Sequence, residues 1–227
     1  MKSIRLQKKG RSRCILFMAG WSMGPEPFRN CIFPKSDLFF CYDYRDLSLP
    51  NLSWLPEYEQ VDLLAWSMGV WVAAATLAPL RDRFTSATAL AGTLCPIDDR
   101  RGIPVGAYEK MEHSLTATDL ENFHLSMFDN PEEAQGFLRN RPNRSPASVR
   151  EELHCLRDHV RATAVPEDIF SRRIVTTRDR IFPARNQIRA WGRGLYEQHT
   201  WPHCPFYRKD CYLTGALYHD TINLKSL

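Results

Sequence analysis

The sequence lacks the features that would mark it as a membrane-spanning, secreted or disulfide-stapled chain. No apolar run approaches the roughly 18 residues that a spanning helix needs. The opening stretch, Met-Lys-Ser-Ile-Arg-Leu-Gln-Lys-Lys-Gly, has no long apolar segment of the kind that a secretory leader carries. Seven cysteines (14, 31, 41, 95, 155, 204 and 211) form no C-x-x-C pair and are odd in number. Cys14, Cys41 and Cys95 lie in apolar stretches, so buried thiols in a reducing cytoplasm are expected rather than a disulfide framework. The seven histidines show no H-E-x-x-H spacing, and no metal site is expected. Neither charge dominates: 30 Lys and Arg against 26 Asp and Glu give +4, too weak a surplus to argue for nucleic acid by itself. Glycine is scarce, 11 in 227 residues, which gives weight to the places where glycines cluster.

What the chain does have is a regular alternation of short apolar runs with helical patterns, the signature of a mostly parallel α/β sheet. Ile4 and Leu6 alternate with polar residues and predict a short edge strand. Cys14-Ile-Leu-Phe-Met18, Leu38-Phe-Phe-Cys-Tyr-Asp43, Val61-Asp-Leu-Leu-Ala65, Thr85 to Leu94, Arg173 to Asp179 and Tyr196 to Thr200 predict further strands. A helix is expected from Met68, a short one over 186–191, and another over 213–224. Between Ile97 and about Pro166 no strand is convincing. Helical patterns fall instead on 115–128, 131–138 and 148–161, which suggests one domain over 1–227 with a helical lid at about 97–166. That insertion is unevenly charged. Seven acids against one lysine over 109–133 give −6, and eight arginines against five acids over 139–173 give +3. The acidic half reads as a solvated face. In the basic half Arg139, Arg141, Arg144, Arg150, Arg157 and Arg161 are candidates for a docking patch.

The most informative stretch is Ala65-Trp66-Ser67-Met68-Gly69, which sits where a buried strand turns into a buried helix. This is the context in which G-x-S-x-G forms a nucleophile elbow, a strained turn that lifts a serine hydroxyl above the sheet. Ala65 in place of the first glycine is small enough to keep that geometry. The alternative is an ordinary strand–helix junction with a capping serine. Ala19-Gly20-Trp21-Ser22-Met23-Gly24, directly after a buried strand, is a loop suited to supply a second oxyanion N–H. Trp21 and Met68 are the expected donors. An activated serine also needs a base and a carboxylate, in chain order Ser, Asp or Glu, His. Asp179 follows a predicted strand after the insertion, and His203 follows the last predicted strand in a Pro-rich turn. Asp98 and Asp99 are the competing carboxylates. His113, His124, His154, His159, His199 and His219 fit the base position less well.

Taken together, Phe17 to Gly24, Tyr42 to Leu47, Leu64 to Trp71, Ala91 to Asp98 with Gly102-Ile-Pro104, Asp179-Arg-Ile-Phe-Pro183 with Asn186-Gln187, and His203-Cys-Pro-Phe206 resemble the BioG-type pimeloyl-[acyl-carrier protein] methyl ester esterases, a short α/β-hydrolase family. The resemblance extends from about Cys14 to Phe206 and is weakest across the insertion. It implies an α/β-hydrolase fold and hydrolysis of the methyl ester of pimeloyl-acyl carrier protein, releasing methanol on the way to biotin. Ser67 would be the nucleophile, Asp179 the orienting acid, His203 the base, and Trp21 and Met68 the oxyanion donors, with no metal or organic cofactor. Phe123, Leu125, Met127 and Phe128 would line an apolar channel, and the arginines would meet an acidic acyl carrier protein. Neither nucleic acid nor membrane is an expected partner. A thioesterase, a small-ester carboxylesterase or a silent carrier-protein-binding module are the competing readings of the same scaffold.

Overall fold

The computed structural model describes residues 1–29, 33, 35–211 and 213. Cys31, His219 and, Leu213 apart, the helix expected over 213–224 lie outside the described residues.

Seven strands form one sheet: β1 Lys2–Gln7, β2 Arg13–Met18, β3 Asp37–Tyr42, β4 Gln60–Trp66, β5 Ser86–Leu90, β6 Arg172–Thr176 and β7 Glu197–His199. The spatial order is β1-β3-β2-β4-β5-β6-β7, with β1 antiparallel to β3 and every other pairing parallel. The continuous apolar run of β2 is explained by its place between β3 and β4, covered on both faces. Leu16 lies opposite Phe39 and Leu63, and Phe17 opposite Phe40 and Leu64. Phe17 packs against Phe28, Phe40 and Phe206 with ring centroids 5.2–5.3 Å apart, one continuous aromatic core beneath the sheet's C-terminal edge.

The chain leaves β2 toward β3 on one side, then crosses back to start β4 on the other. The connections therefore reverse direction between β2 and β4, and the loops leaving their C-terminal ends diverge there. Such a switch point opens a crevice at the edge of a parallel sheet. The glycine-bearing loop after β2 and the Ser67 turn after β4 flank it.

Helix α1 (Met68–Leu77) follows β4 directly and is buried nearly all round. Gly69 lets it pass close to β2, since a Cβ there would overlap the carbonyls of Met18 and Ala19. Strand β5 is shorter than the apolar pattern over 85–94 predicts. It ends at Leu90 because Ala91 takes φ 49° and turns the chain, bringing Gly92 against the Ser67 carbonyl.

Four helices separate β5 from β6: α2 Val105–Ser114, α3 Ala117–Ser126, α4 Pro131–Arg139 and α5 Pro146–Ala162. Thr116 and Asp119 form a reciprocal capping box at the start of α3. Asn130 and Ser145 cap α4 and α5, each followed by proline at the first helical position, so α5 begins two residues before the expected 148. Helix α2 is not expected from the sequence. Its wholly buried positions are Tyr108 and Glu112, which give no apolar stripe. A last helix, α6 (Ala184–Trp191), follows β6.

Candidate active site

Ser67 sits between the end of β4 and the first turn of α1 with φ 59° and ψ −130°, a backbone conformation that few non-glycine residues adopt. The surrounding structure enforces it. The Ser67 N–H donates to the Leu90 carbonyl (2.9 Å), and Gly20 and Gly92 leave only hydrogen where a Cβ would crowd the Ser67 side chain or overlap its carbonyl. Ala65 is fully buried and small enough for β4 to run directly into this turn.

The Ser67 hydroxyl lies 3.0 Å from His203 Nε2, and His203 Nδ1 lies 2.8 Å from Asp179 Oδ2. All three residues are buried. The imidazole stacks nearly parallel to Phe182 (6.0 Å between centroids) and packs on Trp66, whose indole N–H donates to the His203 carbonyl (2.8 Å). Asp179 lies on the turn that follows β6. Its Oδ1 accepts from the N–H groups of Ile181 and Phe182, and its Oδ2 from Thr176 Oγ1 and Gln187 Nε2. The carboxylate is thereby fixed facing the ring. A strained serine, an imidazole within reach of it and a carboxylate orienting that imidazole have the geometry of serine-hydrolase chemistry. Asp98 is occupied elsewhere: it accepts from the N–H groups of Arg100 and Arg101 and pairs with the Arg101 guanidinium.

The main-chain N–H of Met68, at the first position of α1, has no acceptor among the described residues, and neither has that of Trp21 in the loop after β2. That loop is tied to the helical insertion by several hydrogen bonds. The Trp21 indole N–H donates to the Val149 carbonyl of α5 (2.7 Å). Ser22, itself at φ 67°, has its hydroxyl 3.0 Å from His124 Nε2 of α3. The Ser22 N–H points at Glu152 Oε2 of α5 (3.4 Å), while Glu152 Oε1 accepts the Tyr44 N–H (2.8 Å). Burial pushes the His124 ring down to about 4, so it is neutral at pH 7.

Glu152 is wholly buried and is met by Arg144 at 2.6 Å; Arg144 also lies 3.3 Å from Asp43. Burial pushes the Glu152 carboxyl up, and Arg144 and the Tyr44 N–H work against that. Burial also acts to raise the Asp43 carboxyl, but Arg45, Lys2 and Arg144 outweigh it and hold it well below the ordinary range. Nothing in the sequence periodicity marks Glu152 or His124, because a buried polar side chain on an amphipathic helix reads as a solvent-facing one.

A cleft of about 330 Å³ opens between α2, α3 and the turn after Asp179, with Met111, Leu115, Phe123 and Ile181 among its apolar walls and Lys110 and Arg180 among its polar ones. Phe123 packs against Trp21, 4.7 Å between ring centroids. Phe128, Leu125 and Met127 do not line it. Phe128 is buried against Phe137 and Tyr207, because the end of α3 turns inward onto α4. The six insertion arginines also divide. Arg139, Arg141, Arg150 and Arg161 are exposed. Arg144 is turned inward with its side chain 7% exposed, and Arg157 is bound to Glu112 and Asp158, so these two do not belong to an open cationic face. No group of His, Cys, Asp and Glu suited to a metal occurs among the described residues.

The model of a protein family described as pimeloyl-ACP methyl esterase BioG matches residues 1–199. A malonyl-[acyl-carrier protein] O-methyltransferase of Bacteroides fragilis is 35% identical over 187 residues, 82% of this chain; the chain spans 38% of that protein's length. The crystal structure of BioG from Haemophilus influenzae superposes with a TM-score of 0.79 at 30% identity, covering 89% of this chain and 94% of that one. A lipase-esterase related protein from Clostridium acetobutylicum shares the α/β-hydrolase fold at 12% identity, with a TM-score of 0.54 over 89% of this chain and 91% of its own.

Proposed function

The chain belongs to the BioG family of pimeloyl-ACP methyl esterases, and from that premise we propose that it hydrolyses the methyl ester of pimeloyl-acyl carrier protein to pimeloyl-acyl carrier protein and methanol. The observation that carries the reading is the hydrogen-bonded series Ser67, His203, Asp179 on a strained strand–helix turn. Ser67 Oγ attacks the terminal ester carbonyl and its proton passes to His203 Nε2. The carbonyl oxygen becomes an oxyanion facing the Trp21 and Met68 N–H groups. Collapse breaks the bond to methoxide, which leaves as methanol with the proton from His203. Water then gives a proton to His203, attacks the acyl-serine and releases the carboxylic acid, returning the proton to Ser67. Asp179 stabilises the imidazolium throughout.

The cleft walled by Met111, Leu115, Phe123 and Ile181 has the apolar character that a pimeloyl chain or the arm bearing it requires, beside the Trp21 loop and the Asp179 turn. Arg139, Arg150 and Arg161 are exposed cations able to meet an acidic carrier protein, with Arg141, which lies 3.8 Å from Glu121, exposed beside them. The insertion would then act as a lid carrying both the channel wall and the docking face. The O-methyltransferase named among the relatives acts on a carrier-protein-linked acid, in keeping with a methyl ester on such a carrier as substrate. No helix among the described residues is long and apolar enough to cross a membrane. Cys14, Cys41, Cys95 and Cys155 are free thiols, in keeping with a cytoplasmic setting.

The test is intact mass spectrometry of pimeloyl-acyl carrier protein methyl ester after incubation with the protein. A loss of about 14 Da, one CH₂, marks ester hydrolysis with the thioester intact. Release of free carrier protein would identify a thioesterase instead. Ser67→Ala is expected to lower turnover by a factor on the order of 10⁴ or more. Wild-type turnover in that variant would overturn the assignment.

A further inference from the structure

Resting on the reading of the Trp21 N–H as an oxyanion donor, we propose that Glu152, braced by Arg144, is a positioning residue for that donor, holding the loop after β2 in its working shape from the helical insertion. The loop cannot hold itself. Ser22 is a non-glycine residue at φ 67°, a conformation that persists only when neighbours over-determine it. The Glu152 carboxylate bridges two separate strand-end loops, the Ser22 N–H after β2 and the Tyr44 N–H after β3. The Trp21–Ser22 peptide it faces is adjacent to the Gly20–Trp21 peptide whose N–H is the donor, so a rotation of one re-aims the other. Tyr44 reinforces the same loop through its hydroxyl, which donates to the Ala19 carbonyl (2.8 Å).

A carboxylate facing the peptide next to an oxyanion donor would oppose the reaction if its charge were unpaired, at the low dielectric of a wholly buried site. Arg144 answers that at 2.6 Å and is itself anchored by Asp43 at 3.3 Å and by the Met23 carbonyl at 3.4 Å. The Glu152–Arg144 pair therefore places a rigid acceptor behind the loop at little net charge. It also explains why the insertion buries two full charges where apolar residues would pack the same space at lower cost.

Two variants separate positioning from charge balance. Glu152→Asp keeps the charge that Arg144 requires but withdraws the carboxylate by one methylene from a Ser22 N–H already 3.4 Å away. Glu152→Gln keeps the length and loses the charge, and its single oxygen cannot serve Ser22, Tyr44 and Arg144 together. Each is compared with wild type on a p-nitrophenyl ester and against an aliphatic trifluoromethyl ketone, which adds to the serine and places an oxyanion in the hole.

Misaiming one donor is expected to lower kcat about 10- to 100-fold in Glu152→Asp, to raise the inhibition constant of the ketone by a similar factor, and to leave KM within about twofold. The melting temperature should stay within a few degrees. A folded Glu152→Asp with wild-type kcat and ketone affinity overturns the proposal. So does a fall in kcat with ketone affinity unchanged, because the loss then lies outside the oxyanion hole. If Glu152→Gln does not fold, the Asp variant decides alone. Failure of the underlying reading looks different: the ketone would then fail to inhibit even the wild-type protein, and Ser67→Ala would keep its turnover.

Discussion

Replacing Asp179 by asparagine changes one oxygen for an amide and is expected to reverse the direction of every proton in the catalytic series. Asp179 receives five donors. The two on Oδ1 are main-chain N–H groups of Ile181 and Phe182, at 2.8 and 2.9 Å, and cannot turn away. An asparagine must keep its oxygen there, which puts its NH₂ at the Oδ2 position, 2.8 Å from His203 Nδ1. Two donors cannot face each other at that distance, so Nδ1 must become the acceptor and the ring proton moves to Nε2. Nε2 then points a hydrogen at Ser67 Oγ, 3.0 Å away, and cannot take the serine proton. The loss expected for a base held in the wrong tautomer is on the order of 10⁴ in kcat, which is about 5 kcal/mol of barrier. The change is nearly isosteric, Thr176 can rotate its hydroxyl, and Gln187 Nε2, which loses its acceptor at the Oδ2 position, still has Phe182 O at 2.7 Å and Thr176 Oγ1 at 3.3 Å for its two hydrogens, so the fold should survive with a melting temperature lowered by only a few degrees. The assay is kcat/KM by mass spectrometry, beside the rate of fluorophosphonate labelling at Ser67, which needs the same base. A folded Asp179→Asn protein within tenfold of wild type on both measures would refute the tautomer argument and with it the role given to Asp179.

Two further outcomes are expected. His124 is held neutral, near 4 against an ordinary value of 6.5, by burial and by Arg141. Its depressed value means that the unfolded chain takes up the proton first, so stability is fully present above about pH 6.5 and falls as the pH drops toward 4. Between pH 7 and 4.5 the loss from this group is about 2–3 kcal/mol, and urea denaturation of wild type against His124→Gln should show the difference between them shift by that amount. An unchanged difference would mean that the ring is already charged in the folded protein. Gly92→Ala places a Cβ onto the main-chain carbonyl of Ser67, which has no flexible end to yield, and against Val70 Cγ2. It should cost about 1–3 kcal/mol in denaturation and at least tenfold in turnover; wild-type activity would show that the elbow tolerates displacement.

The strands were legible because burial on both faces leaves continuous apolar runs, as in Cys14 to Met18, and the serine because its turn joins such a run to an apolar helix. Asp179 and His203 followed from the order in which strand ends bring residues to one edge. What the sequence concealed were the places where charge replaces apolar packing. Helix α2 turns Tyr108 and Glu112 inward, and the helix rule for apolar spacing passes over it. Arg144 sits in a run of arginines that reads as one basic face, yet the fold turns it to Asp43 and Glu152 and leaves Arg139, Arg141, Arg150 and Arg161 outside. Phe128 looks like its neighbour Phe123 in sequence, but the end of α3 turns it onto Phe137 and Tyr207. Strand β5 ends before its apolar pattern does because Ala91 and Gly92 are apolar or small and carry no mark of the turn they make.

The hydrogen bond from the Trp21 indole to the Val149 carbonyl joins residues 128 positions apart. Its consequence is for anyone who would treat the four helices as an exchangeable module. Grafting another insertion between β5 and β6 to change the acceptable ester would also remove the acceptor for that indole. Such a chimera should bind new esters more readily than it cleaves them, and recovering its turnover would depend on rebuilding the seam behind Trp21 before the pocket in front of it.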